Sequence, residues 1–390
     1  MGGTADVIVI GAGVHGTSVA FHLAQKGVRV LVLERGAIAD GATGRSSGFV
    51  RMHYDYEGDA RLAWSSFPYF RDWAERVGAG DCGFVRTGFL QLVPPALTGA
   101  LRANVTMHQG IGIASRVIDP AEVAALLPGI VTADIQAAAY EPESGYADPS
   151  GTAAGFMAAA RRDGAELIQH CQTEAVLVAG GRVTGVRTSQ GTLSAPVVVD
   201  AAGAWAGQLA STVGLTVPVE AWRHDTAYFG LPSDRPSAFP IVIDEAGEVY
   251  FRPEGHELML VGLESGNVIG GSPDRPMAPL SAATTEALVQ AVCRRVPWMA
   301  GGTFRTAHGG QDGITPDQHA IIGQAGPDGF YLDCGFSGTG FKTAPAVGAA
   351  LAELIHDGHA TTADISPYAL ERFAQGRHLV GDHPYGMIWR

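Results

Sequence analysis

The segment from Asp6 to Glu34, DVIVIGAGVHGTSVAFHLAQKGVRVLVLE, decides the fold of this chain. Its first part, Asp6–Ile10, is a short apolar run rich in β-branched residues and predicts a buried strand. Glycines follow, and Thr17–Lys26 then has apolar residues at helical spacing before another glycine ends the helix. Val28–Leu33 predicts a second buried strand. The order strand, helix, strand is typical of a βαβ unit that opens a parallel sheet.

The glycine-rich turn of this unit, Gly11-Ala12-Gly13-Val14-His15-Gly16, has the spacing of a dinucleotide-binding fingerprint. Gly11 allows the tight turn, Gly13 lets the backbone approach a pyrophosphate, and Gly16 lets the helix pack closely on the strand. The start of the helix supplies unpaired N–H groups for the phosphates. Glu34 ends the second strand, where a carboxylate accepts hydrogen bonds from a ribose diol and repels a 2′-phosphate. The turn predicts binding of NAD or FAD and leaves both open.

The composition excludes several classes of protein. The chain has 390 residues, of which 46% are hydrophobic and 17% charged, and this is too apolar for a globally disordered chain. Its net charge of −13 argues against binding of nucleic acid or anionic lipid. No apolar run reaches the ~18 residues of a membrane span, and the apolar start lacks a basic leader. We therefore expect neither membrane insertion nor a secretory signal.

Four cysteines, Cys82, Cys171, Cys293 and Cys334, lie far apart in the sequence. Their spacing supports neither a disulfide framework nor a zinc cluster, so the sequence predicts no metal site. Unpaired cysteines are typical of a reducing compartment, and we expect a cytoplasmic protein.

The rest of the chain predicts an α/β fold with two domains. Both ends alternate helices and strands, whereas the middle is rich in longer strands. We predict a Rossmann-like nucleotide-binding domain and a β-rich substrate domain with a mixed antiparallel sheet plus helices. The nucleotide-binding domain is expected to be discontinuous, with residues 1–80, 141–220 and 305–390. Residues 81–140 and 221–304 are expected to form the substrate or cap domain.

Four segments, in one order and over nearly the whole length, are similar to a single family. They are the fingerprint with Glu34, the loop Gly41–Arg51, the run Val197–Trp205, and Thr315–Asp317 followed by Cys334–Lys342. On these segments the chain resembles the D-amino-acid oxidase-like flavoproteins, and within them the sarcosine oxidase and glycine oxidase group. The resemblance implies a Rossmann-like FAD-binding domain. It also implies oxidation of the C–N bond of a small amine that usually bears a carboxylate.

The resemblance indicates which residues contact FAD besides the glycine turn, Glu34 and Arg35. These positions are Ala42, Thr43, Arg45, Ser46, Ser47, Gly48, Phe49, Ala175, Ala202, Gly203, Trp205, Gly338, Thr339, Gly340, Phe341 and Lys342. Relatives that hold the flavin covalently use a cysteine or a histidine, and the matching positions here are Gly310 and Arg45. The sequence therefore predicts FAD bound without a covalent link.

The electron acceptor stays open between O2 and another acceptor, including a partner subunit. Oxidases of the group place a lysine beside the flavin to speed the reaction with oxygen. The matching residue here is Leu260.

Lysine occurs at two positions of the chain, Lys26 and Lys342. Lys342 lies at the start of a predicted helix, where a cation opposes the helix dipole and an anionic partner would compensate it. That partner is either a protein carboxylate or a substrate carboxylate. The resemblance assigns carboxylate binding to Lys342 and to Arg51, and the guanidinium group suits bidentate binding of a carboxylate. An ordinary loop salt bridge is the alternative for Arg51.

The resemblance places two more side chains in the active site. Tyr250 matches an active-site tyrosine of the family, and Glu264 stands where the family has a histidine. Together with His53, these residues are candidates for keeping the substrate amine neutral. Further polar candidates are His224, Asp225 and Asp312.

The expected reaction transfers a hydride from the substrate to the flavin and gives an imine that water hydrolyses. The substrate is a small carboxylate-bearing amine, such as an N-methyl, cyclic or primary amino acid. Three alternatives stay open. They are an FAD-dependent 2-hydroxy-acid dehydrogenase, a subunit of a hetero-oligomeric amino-acid dehydrogenase, and a flavin-binding protein without catalysis.

Overall fold

The computed structural model describes residues 5–386 except positions 234, 237 and 265. Among these residues, six strands form a sheet, here called the parallel sheet, that contains the βαβ unit. Val7–Ile10 pairs in parallel with Val30–Leu33 on one side and with Val197–Asp200 on the other. From edge to edge the strands are Ile321–Gln324, Phe330–Cys334, Val197–Asp200, Val7–Ile10, Val30–Leu33 and Glu166–Ile168. The edge strand Ile321–Gln324 runs antiparallel to its neighbour.

Helices cover the parallel sheet, which explains why its central strands are apolar along their full length. The first helix, Val14–Gln25, packs against Pro149–Arg162 and against the long helix Gly340–Asp357. A Cβ at Gly348 would collide with Ser18, so this glycine lets the two helices approach closely. The resulting core holds the start of the first helix in a fixed position beneath the glycine turn.

The middle of the chain builds a mixed sheet of nine described strands, here called the large sheet. Its strands in order are Val268–Ile269, Glu220–Gly230, Leu258–Leu263, Val249–Glu254, Ile241–Asp244, Phe89–Leu92, Ala138–Glu141 and Arg116–Ile118, and Thr303–Ile314 also pairs with Glu220–Gly230. One face packs on the helix Ala282–Arg295. The opposite face packs on Phe49 and Tyr146, which brings it beside the parallel sheet's loops.

The remaining described elements are shorter or peripheral. The helices are Glu57–Arg71, Trp73–Arg76, Thr98–Ile111, Pro120–Leu126, Ala206–Ser211 and Glu371–Ala374. Two three-stranded sheets consist of Thr173–Ala179, Arg182–Thr188 and Gly191–Ser194, and of Phe49–Val50, Gly145–Tyr146 and Val85–Arg86. None of the described helices combines the length and the apolar character that crossing a membrane requires.

These sheets confirm the predicted α/β class with a Rossmann-like part and a β-rich part. The first helix begins at Val14 rather than at the predicted Thr17. Its first turn follows the glycines directly and has no apolar spacing that could mark it. The helices Glu57–Arg71 and Thr98–Ile111 have no counterpart in the sequence-based prediction, because they contain Pro68 or two glycines. Such residues normally argue against a helix interior.

Candidate active site

A cavity of about 490 Å³ opens at the carboxyl ends of the parallel strands, where ligands bind in open α/β sheets. The glycine turn lines it. A Cβ at Gly11 would lie 2.5 Å from Ala201 O, and a Cβ at Gly16 would collide with Gly11 O. The turn therefore needs glycine at both positions, and its backbone can lie directly against a ligand.

Glu34 joins the second strand to this turn. Its Oε2 accepts a hydrogen bond from Ala12 N at 2.8 Å, and its Oε1 accepts one from Gly36 N at 2.7 Å. Each carboxylate oxygen has a further lone pair for a ribose hydroxyl. The hydroxyl of Thr43 accepts a hydrogen bond from Val14 N at 3.0 Å, which fixes the loop that follows residue 41 to the start of the first helix.

Most residues that the sequence assigns to cofactor contact line this cavity. They are Gly11, Gly13, Val14, His15, Glu34, Arg35, Ala42, Thr43, Arg45, Ser46, Ser47, Ala202, Gly203, Trp205, Gly338, Gly340 and Phe341. The lining does not include Ala12, Gly16, Gly48, Phe49, Ala175, Thr339 and Lys342. Ala175 is buried in its strand, and its neighbours Thr173 and Glu174 line the cavity instead, because the strand shifts register there.

Asp274, which sequence reasoning misses, also lines the cavity and contacts two of the predicted cofactor residues, Arg35 and Trp205. Asp274 accepts hydrogen bonds from Arg35 Nη1 at 2.8 Å and from Trp205 Nε1 at 2.7 Å. The guanidinium of Arg35 also lies 3.8 Å from the centre of the Trp205 ring. Asp274 belongs to a loop of the middle of the chain, and no local motif marks it. Trp222 and His224, from the same region, also line the cavity.

Arg51 and Lys342 come together beside the cavity at the ring of Tyr54. The Cζ of Arg51 lies 4.3 Å and the Nζ of Lys342 lies 5.8 Å from the centre of that ring. The two side chains are buried, with exposed fractions of 1% and 6%. Burial, and then the charge of Arg51, holds the pKa of Lys342 well below its ordinary value. The structure thus places two basic side chains in one buried region.

The neighbours of Lys342 bear on the two alternatives for its anionic partner. Lys342 lies in the first turn of Gly340–Asp357, as predicted, and its Nζ donates to Gly338 O at 3.2 Å. Two acidic residues, Asp312 and Asp59, favour the protonated form of Lys342 through their negative charge. Asp312 already accepts hydrogen bonds from two backbone N–H groups, and Asp59 is hydrogen-bonded to a histidine and a tyrosine. Among the described residues, neither acid forms an ion pair with Lys342.

Tyr250 connects this region to the cavity. It shares an apolar cluster with Phe89, and the Cζ of Arg51 lies 5.6 Å from the centre of the Phe89 ring. The hydroxyl of Tyr250 is 2.5 Å from His224 Nε2. Burial lowers the pKa of His224 to about 4, so this imidazole is neutral at pH 7. Burial raises the pKa of Tyr250 well above its ordinary value.

Glu264 lies on the same face of the large sheet as Tyr250, because Gly262, two residues before it, pairs with Tyr250. Its exposed fraction is 1%, and its carboxylate oxygens have no hydrogen-bond partner among the described residues. Burial, and then the nearby Glu245 and Asp244, raises the pKa of Glu264 well above its ordinary value. The buried surroundings thus favour the neutral form of this carboxyl group.

His53 is fully buried, with an exposed fraction of 0%. Its Nε2 is 2.8 Å from the hydroxyl of Tyr385. Burial, and then His108 and Arg51, lowers the pKa of His53 well below its ordinary value. His53, His108 and Glu141 form a buried cluster in which one side-chain atom of each lies within 4.8 Å of the other two. Sequence reasoning misses this cluster because its members come from three distant segments.

Comparison with known proteins gives consistent matches along the chain. The family of FAD dependent oxidoreductases called DAO matches residues 6–354. Mitochondrial sarcosine dehydrogenase of Homo sapiens is 28% identical, and the alignment covers 98% of this chain and 42% of the human protein. This chain thus spans about two fifths of the length of that relative. Sarcosine oxidase subunit beta of an Arthrobacter species is 28% identical, with 97% of this chain and 93% of that protein covered.

A solved structure supports the same assignment. The L-proline dehydrogenase from P.horikoshii superimposes with a TM-score of 0.90 at 26% identity, and the match covers 97% of this chain and 100% of that one. The cavity fits FAD on its own features, since the glycine turn admits a pyrophosphate and Glu34 offers acceptors to a ribose. With fold, cavity and family match in agreement, the chain belongs to the DAO family of FAD-dependent oxidoreductases.

Proposed function

We propose that this chain oxidises the C–N bond of a small amine that bears a carboxylate, and that Arg51 and Lys342 bind that carboxylate. The observation that carries the proposal is the approach of these two buried basic side chains to one ring, that of Tyr54. Two like charges in a buried region repel each other and lack hydration. A substrate carboxylate between them offsets both costs and supports the charged form of Lys342.

The roles of the remaining residues follow from their surroundings. When bound, FAD accepts the hydride and so the two electrons that the substrate C–H bond loses. Arg51 and Lys342 fix the substrate by its carboxylate, and the aromatic residues Phe49, Tyr54 and Phe89 exclude water around it.

The amine must be neutral before it loses the hydride, so a proton has to leave its nitrogen. His224, with a pKa of about 4, is too weak a base to hold that proton at pH 7, so the proton goes to solvent and the hydrogen-bonded pair of His224 and Tyr250 orients the neutral amine. The product is an imine in its cationic form. Water then adds to its carbon, and the adduct breaks into a carbonyl compound and an amine with release of a proton. Glu264, as a neutral carboxyl, is suited to donating a hydrogen bond rather than to removing a proton.

We assign different roles to the two parts of the fold. The part with the parallel sheet binds FAD, and the part with the large sheet covers the substrate, as the sequence predicts. The large sheet runs to Ile314, so we place that boundary after Ile314 rather than at residue 305. FAD is bound without a covalent link, because Gly310 offers no thiol and packs against Arg45. The four cysteines are free thiols, which supports the cytoplasmic location that the sequence predicts.

The test is anaerobic reduction of the purified FAD-bound protein, followed by flavin absorbance. N-methylglycine, glycine and L-proline are each compared with the same amine without the carboxylate, namely dimethylamine, methylamine and pyrrolidine. We expect at least one carboxylated amine to bleach the flavin and its matched amine to be about 100-fold less effective. Equal rates for the two members of each pair, bleaching by 2-hydroxy acids alone, or no bleaching at all would each overturn the proposal.

A second candidate is that the chain works as a subunit of a larger amine dehydrogenase. The match to a protein named sarcosine oxidase subunit beta over nearly the full length of both chains favours it. The buried Leu260 at the place of the oxygen-promoting lysine favours an acceptor other than O2. Purification from the native organism with light scattering tests the idea. A stoichiometric second chain is expected, and a homogeneous single-chain species with full activity would exclude it.

A further inference from the structure

The segment that carries Arg51 is buried but has no regular sheet partner. Residues 51–54 lie outside helices and strands, and their side chains are buried. Backbone N–H and C=O groups in such a place need partners from elsewhere in the chain. The position of Arg51 therefore depends on the side chains that form hydrogen bonds with the backbone of residues 51–54.

Two buried side chains supply them. Glu141 Oε2 accepts a hydrogen bond from Met52 N at 3.0 Å and another from Ser144 Oγ at 2.7 Å. His108 Nε2 lies 2.8 Å from Tyr54 O. Glu141 and His108 thus hold the backbone on either side of His53.

The C-terminal segment supplies the next layer of contacts. Tyr385 N donates to Asp55 Oδ2 at 3.0 Å, and Asn104 Nδ2 donates to His383 O at 3.0 Å. Tyr385 is buried, with an exposed fraction of 2%, and its ring stacks on that of His53 with an angle of 9° between the planes. Its hydroxyl lies 2.8 Å from His53 Nε2. A side chain near the end of the chain therefore fixes the imidazole in one orientation.

His53 and Arg51 share a contact surface. The two residues are two positions apart in the chain, and both side chains approach the ring of Phe89. The Cζ of Arg51 lies 5.6 Å and the ring of His53 lies 6.1 Å from the centre of the Phe89 ring. A change in the orientation of His53 would thus alter the packing that confines the guanidinium.

We propose that Tyr385 is a positioning residue for the substrate-binding Arg51, and that it acts by holding His53 through a hydrogen bond and ring stacking. This inference rests on the proposed function for its consequence in substrate binding. It assigns His53 to support of the site rather than to proton removal. It also gives the C-terminal segment a role in the affinity for carboxylates.

The experiment compares Tyr385→Phe with the wild type and with Tyr331→Phe, a control on a half-buried tyrosine of the parallel sheet. Hydrogen exchange of the peptide covering residues 50–56 reports on the segment without any substrate. Acetate, a carboxylate that cannot be oxidised, is titrated into the FAD-bound protein while the flavin spectrum is followed.

In Tyr385→Phe we expect exchange in residues 50–56 to rise by about threefold or more. We also expect acetate affinity to fall by about three- to tenfold, the effect of losing one neutral hydrogen bond. Tyr331→Phe is expected to match the wild type in both. Unchanged exchange, or faster exchange with unchanged acetate affinity, would overturn the proposal.

Two further outcomes distinguish the positioning role of Tyr385 from a failure of the proposed function and from a metal centre. A wild-type protein that does not bind acetate would contradict the proposed function, while the exchange measurement would still decide the role of Tyr385. The composition of the His53, His108 and Glu141 cluster is also that of a metal site. A stoichiometric divalent ion that His108→Gln removes would reassign the cluster as a metal centre and overturn the positioning role.

Discussion

At the scale of single residues, burial decides the charge states near Arg51. Lys342 and Glu264 depart from their ordinary pKa values in opposite directions, and burial is the largest cause for both. Each shift makes the neutral form more stable than it is in water. A substrate that brings a carboxylate favours the charged form of Lys342, whereas it does not favour the charged form of Glu264.

Glu264→Gln tests the charge state of that carboxyl. The folded-state pKa of Glu264 lies above the unfolded value, so the wild type loses stability as pH rises from about 4.5 through the folded pKa. Glutamine does not ionise. We expect the Tm of the variant, relative to that of the wild type, to be higher by about 2 °C or more at pH 8 than at pH 4. The exposed Glu143→Gln serves as control. A difference in Tm that does not depend on pH would contradict the assignment.

At the scale of elements, close contact between the glycine turn and the first helix fixes the shape of the FAD site. A Cβ at Gly16 would collide with Gly11 O, which belongs to the turn itself. We expect Gly16→Ala to cost about 1–3 kcal/mol and to leave most of the purified protein without FAD. Gly110→Ala is the control, because a Cβ there meets nothing within 4 Å and alanine favours a helix. The ratio of flavin to protein absorbance and the Tm measure both effects. Full FAD content in Gly16→Ala would contradict the account.

Elements formed by neighbouring residues could be predicted from the sequence, whereas contacts between distant elements could not. The turn and the two strands follow from local spacing, since each depends on neighbours in sequence, whereas the pocket lining near residue 43 was indicated by the family resemblance. Lys342 was identifiable because lysine is so rare in this chain and because it lies at a helix start. Asp274, His108 and Tyr385 were not, because their roles arise from contacts across large sequence separations. Local patterns carry no information about such pairings.

At the scale of the whole molecule, buried neutral histidines lower the free energy of unfolding as the pH falls. Burial lowers the pKa values of His22, His108 and His224 to about 4. The unfolded chain binds protons at these positions below about pH 6.5 and the folded chain does not, so stability falls as pH drops from 6.5 toward 4. Each histidine contributes up to about 1.4 kcal/mol per pH unit in that window. His319, whose pKa is raised by Asp59, acts in the opposite direction, and so do buried acids such as Glu264 and Asp200, whose pKa burial raises, to about 7 for Asp200.

We therefore expect the Tm of His22→Gln, relative to that of the wild type, to be higher at pH 5 than at pH 7, because glutamine binds no proton in the unfolded chain. Circular dichroism at the two pH values measures this difference. A difference in Tm between variant and wild type that is the same at both pH values would show that His22 is not neutral in the folded state.

The central claim is that Lys342, together with Arg51, binds the carboxylate of the substrate. The most direct measurement is the anaerobic rate at which a carboxylated amine bleaches the flavin in the wild type, in Lys342→Met and in Lys26→Met. Lys26 is a matched control, because it is half-buried at a helix end and paired with Asp357 at 2.6 Å. We predict that Lys26→Met reacts like the wild type and that Lys342→Met is slower by about 100-fold. A Lys342→Met protein that carries FAD and is bleached at the wild-type rate would contradict the account.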